Sequence, residues 1–169
     1  KHKYHGKMGL GNGGDLESLN AGHVLGSAMF RFEHEGKSIT FTGDLGNDPS
    51  PLIPPSSIVK QTDYLVIESV YGNRNHDPSN IGSKLIKEIV LETIERGGVL
   101  MIPTFSLERS QVILYYLNNL IESGEVPEIP VFLDSPLAIK MTEIFRKNVQ
   151  YFRDDVKKQI MGGDDIFDF

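Results

Sequence analysis

Apolar positions alternate from Ala28 to Phe32, and Ile39 and Phe41 repeat the pattern after Glu35-Gly36. Period-two alternation marks half-buried strands, and the short polar-glycine break between them marks a tight turn. The pattern predicts a hairpin in which residues whose numbers add up to 71 face each other. Asp15 to Asn20 reads as a further strand, preceded by a glycine-rich stretch, Gly9-Leu10-Gly11-Asn12-Gly13-Gly14. Its Gly9, Gly11 and Gly14 satisfy the loose GxGxxG spacing. No clear strand precedes it, strand rather than helix follows it, and the Gly-Lys-Ser/Thr ending of a phosphate loop is missing, so a hairpin loop is the better reading. Between Leu45 and Ser57 stand Pro49, Pro51, Pro54 and Pro55, which rules out a regular element there. Tyr64-Leu65-Val66-Ile67 is a continuous apolar run, the pattern of a strand covered on both faces.

Beyond residue 63 the pattern becomes strand, helix, strand, helix. Ile81, Leu85, Ile86, Ile89, Val90 and Ile94 form a helical stripe, with Asp77-Pro78 at its start and Gly97-Gly98 past its end. Val99–Ile102 and Ile129–Leu133 read as short buried strands. A second helix is expected from about Glu108 to Ile121, and a third, opened by Ser135-Pro136, to about Val149. This order predicts an α/β fold with a parallel sheet and right-handed crossovers, following an antiparallel, hairpin-rich first part.

The length of 169 residues is enough to bury roughly 70% of the unfolded surface. The net charge of −6 argues against coating nucleic acid by bulk charge but leaves room for a local basic groove. The absence of cysteine removes disulfides, thiolate metal sites and cysteine nucleophiles. No apolar run reaches the length of a membrane span, and Lys1-His2-Lys3-Tyr4-His5 has no signal-peptide core, so a cytoplasmic place and no membrane partner are expected. The chain opens without Met and closes on Asp164-Asp165-Ile166-Phe167-Asp168-Phe169; a piece of a longer protein is expected.

Three residues carry candidate chemistry in the first part. The hairpin arithmetic sets Asp44 opposite Ser27, and His23 falls just beyond the same sheet end. An imidazole and a carboxylate converging there, each beside a glycine, suit a metal such as zinc; a surface histidine and a turn aspartate fit the same spacing. Glu68 closes the apolar strand, where α/β sheets often place active-site groups, although by position alone a helix-capping residue or a solvated strand end is the more ordinary reading.

Asn20-Ala21-Gly22-His23-Val24-Leu25-Gly26-Ser27-Ala28, Phe41-Thr42-Gly43-Asp44 and Glu68-Ser69-Val70-Tyr71-Gly72-Asn73-Arg74 occur in the order found in one nuclease family. Pro103-Thr104-Phe105-Ser106-Leu107-Glu108-Arg109-Ser110-Gln111 and Asp134-Ser135-Pro136-Leu137-Ala138 continue it. Over most of residues 18–150 the chain resembles the β-CASP nucleases of the metallo-β-lactamase fold, which include the mRNA 3′-end endonuclease subunit and its bacterial and archaeal relatives. The resemblance implies part of a metallo-β-lactamase αββα sandwich over residues 1–72, then part of a β-CASP α/β cap with a parallel sheet over 73–169.

It further implies that His23 is a zinc ligand and that Asp44 bridges two zinc ions, with Asp44 and Glu68 in the catalytic centre. Glu68 would support a metal-ligating histidine from a later segment. In the intact protein the zinc pair would activate water for in-line attack on an RNA phosphodiester. Single-stranded RNA would lie in an interdomain cleft, near basic groups such as Lys84, Arg109 or Lys140. Arg109 and Ser135 are the substrate-binding candidates, Ser135 through a helix start that favours an anion. Departures are Val70 for a usual Thr, Glu108 for a common Gly, and Val112 for a frequent Glu; a negative Glu108 would weaken a phosphate-facing Arg109. The paired-histidine HxHxDH motif and two late histidines are not in this chain. His2 and His5 do not replace them, and His34 and His76 read as solvated. This chain alone is therefore expected to hold an incomplete, inactive site of an RNA-processing or RNA-decay hydrolase. A non-catalytic scaffold subunit and a DNA-directed nuclease are the alternatives, and the pattern leaves room for a homodimer.

Overall fold

The Glu35-Gly36 turn has positive φ at both central residues, 48° and 75°, the backbone that lets two twisted strands return on each other. A computed structural model describes residues 3–46, 50–74 and 80–167. They fall into two compact units, Lys1–His76 and Asp77–Phe169.

The first unit is a five-stranded sheet in sequential order: β1 (Lys7–Gly9), β2 (Asp15–Asn20), β3 (Ala28–His34), β4 (Lys37–Phe41) and β5 (Tyr64–Val66). The first four are antiparallel and β5 joins β4 in parallel. In the β3–β4 ladder Phe30 faces Phe41 and His34 faces Lys37, the register the turn position predicts. The glycine-rich stretch is the β1–β2 loop, closed by the Leu10 N–H donating to Gly14 O at 2.8 Å.

Leu19, Ala21 and Met29 are buried against Leu45 and Val59. On β4 the inward positions are Ser38 and Thr40, not the apolar ones. The segment before β5 covers them. Ser38 donates its N–H and its hydroxyl to Asp63 Oδ2, at 2.7 and 2.9 Å, and Thr40 Oγ1 donates to Thr62 Oγ1 at 3.1 Å. These donors hold the Asp63 carboxyl below its usual range. The opposite face leaves Phe30, Phe41, Tyr64 and Val66 exposed, with Phe32 edge-on to Phe41 at 6.0 Å. The expected covering of Tyr64–Ile67 on both faces is thus corrected: all four are exposed, because β5 pairs on one side only and no described layer lies over it.

The second unit contains α1 (Asn80–Glu95), α2 (Arg109–Glu122), α3 (Pro136–Arg146) and α4 (Asp154–Met161). α1 ends where glycines were expected to stop it, with Gly97 N–H donating to Ile94 O and Gly98 N–H to Thr93 O, both at 2.9 Å. The Asp77-Pro78 start signal lies outside the described residues. Val90 of α1 packs with Leu117 and Leu120 of α2 and with Val126. Phe145, Phe152 and Phe167 form a second core, with ring centroids 6.0–6.5 Å apart.

Two expectations fail here. Val99–Ile102 and Ile129–Leu133 form no strand, so the described residues of this unit contain no parallel sheet. A strand needs a laddered neighbour, and these runs have none: Val99, Met101 and Phe132 are 87%, 82% and 87% exposed. The third helix stops at Arg146 rather than near Val149, followed by a 3-10 turn at Val149–Tyr151 and by α4, which the apolar pattern does not announce.

Candidate functional site

His23 and Asp44 lie on two loops leaving the same end of the sheet, one between β2 and β3 and the other after β4. The His23 loop is built by its neighbours' side chains. Asn20 donates Nδ2 to the carbonyls of Pro54 (3.2 Å) and Pro55 (3.0 Å) and accepts the Gly22 N–H on Oδ1 at 3.0 Å. Ser27 Oγ accepts the N–H groups of His23 and Val24, at 3.1 and 3.2 Å. Gly22 has φ 64°, and a Cβ there would lie 2.6 Å from Ser56 N, so position 22 excludes side chains twice over.

The Asp44 loop docks on the His23 loop through backbone. Gly46 N–H donates to Ala21 O at 2.9 Å, and a Cβ at Gly46 would overlap the Gly22 carbonyl. Glu68 holds the other side of the turn: its Oε1 accepts the Leu45 N–H at 2.5 Å. Glu68 is anchored in turn, because its N–H donates to Thr42 Oγ1 (3.3 Å) and Thr42 N–H donates to Val66 O (3.0 Å). The structure therefore ties Glu68 to the turn carrying Asp44, and that turn to the His23 loop. The His23 and Asp44 side chains are exposed, while Glu68 is half-buried.

An imidazole and a carboxylate on adjoining loops fit zinc in kind, since zinc takes nitrogen and oxygen donors. They fall short in number. Among the described residues no three His, Asp or Glu gather in a metal-holding arrangement. His5 and His34 are exposed, and His34 lies 3.8 Å from Glu35; His2 and His76 are outside the described residues.

Arg109 and Ser135 belong to the second unit. Ser135 caps α3: its backbone is extended, its Oγ accepts the Ala138 N–H at 3.2 Å, and Pro136 follows at the first helical position. The same Oγ is 3.4 Å from Ser106 Oγ. Arg109 opens α2, exposed and without an ion pair among the described residues. Lys84 and Lys140 are exposed on α1 and α3. Gln111, fully buried, ties the segment before α2 to the middle of α3 by donating Nε2 to Ser106 O (3.2 Å) and Thr142 Oγ1 (3.0 Å). Sequence reasoning missed its role. The signal was a polar residue on the stripe of α2 that Leu114 and Leu117 share.

Residues 110–169 match the Beta-Casp domain family. A ribonuclease of Thermus thermophilus is 35% identical over 147 residues, covering 87% of this chain and 34% of the relative. The chain is thus similar to β-CASP nucleases. An RNase J-like protein of Methanocaldococcus jannaschii is 37% identical over 145 residues, with 83% and 34% coverage. An endoribonuclease of Kluyveromyces lactis is 32% identical over 166 residues, with 92% and 21% coverage. The chain spans about a third, or less, of the length of these curated relatives.

Glu108, before α2, has φ 63° and ψ −57°, and the Arg109 N–H donates across it to Leu107 O at 2.8 Å. This is a γ-turn of the rarer, positive-φ kind, a conformation that favours Gly. Glu108 provides no side-chain cap hydrogen bond to α2. Glu108→Gly is expected to relieve strain of about 1–3 kcal/mol, partly offset by a more flexible unfolded chain, for a net gain of about 1 kcal/mol. Thermal melting checks this: a rise of a few degrees is expected, and a lower melting temperature would count against strain at 108.

Proposed function

We propose that the whole protein is a zinc-dependent ribonuclease of RNA processing or decay, and that this chain supplies two of its metal ligands, His23 and Asp44. The docking of the Asp44 loop on the His23 loop through Gly46 is the observation that carries the reading. It brings two residues of zinc-ligand type to one sheet end, in a chain whose relatives are named ribonuclease and endoribonuclease. When bound, zinc supplies Lewis acidity and lowers the pKa of water. This chain's part is positional: the loops present His23 and Asp44 to solvent, and Glu68 Oε2, which has no partner among the described residues, is free for the later histidine that the β-CASP resemblance implies. Upstream and downstream segments would complete the ligand set.

The exposed face of Phe30, Phe41, Tyr64 and Val66 supports the fold part of this reading, because a sandwich covers such a face with further layers. The apolar runs at Val99–Ile102 and Ile129–Leu133 would likewise become strands beside partners from the rest of a β-CASP cap. Arg109 and the α3 start at Ser135 are the proposed phosphate contacts in the second unit.

Labelled RNA and single-stranded DNA of matched sequence, incubated with the zinc-loaded whole protein, test the assignment. Cleavage of RNA in preference to DNA is expected. Preference for DNA would move the protein to the DNA-directed branch, and cleavage of neither would favour a scaffold subunit.

A further inference from the structure

We propose that Glu68 is a positioning residue that fixes Asp44 through the backbone: its carboxylate clamps the Leu45 N–H and so sets the Asp44 turn against the His23 loop. The role assigned to Asp44 rests on the metal-site reading above; the clamp itself rests on the hydrogen bonds alone.

Two consecutive amides after Asp44 point to different anchors. Leu45 N–H goes to Glu68 Oε1 at 2.5 Å, and Gly46 N–H goes to Ala21 O at 2.9 Å. A peptide chain advances about 3.8 Å per residue, so a clamp one residue beyond Asp44 leaves its Cα little freedom. The acceptor is charged, which makes this the stronger kind of hydrogen bond. It is also preorganised, because the Glu68 N–H is held by Thr42 Oγ1 and Thr42 is buried beside β5. Only one carboxylate oxygen is used, so the clamp and a second partner on Oε2 are compatible. Without Glu68 the turn would be tethered on the Ala21 side alone.

The test separates clamp from charge. Glu68→Gln keeps an acceptor oxygen at the same reach and loses the charge, whereas Glu68→Ala loses both. In the metal-stripped whole protein, hydrogen exchange of the Leu45 amide is measured; zinc affinity is then measured by chelator competition. Glu68→Ala is expected to speed Leu45 exchange about tenfold or more and to weaken zinc about 10–100-fold, the usual effect of removing a group that orients a ligand. Glu68→Gln should hold Leu45 exchange within about threefold of the parent, whatever its zinc affinity, because the carboxylate charge is also available to the second partner on Oε2. If Glu68→Ala does not fold, Glu68→Asp, which withdraws the oxygen by one methylene, replaces it in the comparison. Unchanged Leu45 exchange in the folded Ala or Asp variant would overturn the clamp. So would a Glu68→Gln protein whose Leu45 amide exchanges as fast as that of the Ala variant. A parent protein that binds no zinc would refute the metal reading, and the exchange data would still decide the clamp.

Discussion

Gly46→Ala is expected to destabilise the Lys1–His76 unit by about 3 kcal/mol, the upper part of the range for forced overpacking. The added methyl meets the carbonyl of Gly22 rather than a side-chain end that could rotate away. Relief requires the whole Asp44 loop to retreat, which breaks the Gly46–Ala21 hydrogen bond and pulls on the Leu45–Glu68 bond. For a unit of this size that loss corresponds to a fall in melting temperature of roughly 15 °C. Gly43→Ala is a useful contrast, since a Cβ at 43 meets no atom within 4 Å and the residue is disfavoured only by its φ of 55°. A Gly46→Ala protein that melts within about 2 °C of the parent would show that the two loops do not touch as described.

The end-of-sheet placement of His23 and Asp44 was legible because period-two alternation and one tight turn fix a hairpin's register. Once Glu35-Gly36 is the turn, Phe30 must face Phe41, and both loops must leave together. The joints between the loops were not legible. Gly46 meets Gly22 through backbone groups, which are the same in every sequence, and Leu45 N–H meets a Glu68 carboxylate that could equally face solvent; both joints span more than twenty residues. A glycine needed for close approach looks, in the sequence, like any glycine in a turn. The buried polar face of β4 escaped for a related reason: Ser38 and Thr40 face inward only because Asp63 and Thr62 cross over them. In the second unit the helices followed from their caps and stripes, whereas the two short apolar runs were read as strands without a partner for either. Strand formation depends on neighbours distant in sequence, and an apolar run specifies only that something must cover it.

Asp44→Ala in the whole protein is expected to abolish RNA cleavage to within about a thousandth of the parent rate. Metal ions supply several kcal/mol of transition-state charge stabilisation, and about 4 kcal/mol is a factor of roughly a thousand. The side chain is exposed and accepts no described hydrogen bond, so its truncation leaves the fold's contacts in place and the melting temperature close to that of the parent. Cleavage of labelled RNA by the two purified proteins, side by side with and without added zinc, is the most direct test. The proposed site predicts zinc-dependent cleavage by the parent and essentially none by a stably folded Asp44→Ala protein. Cleavage by Asp44→Ala at the parent rate would contradict it.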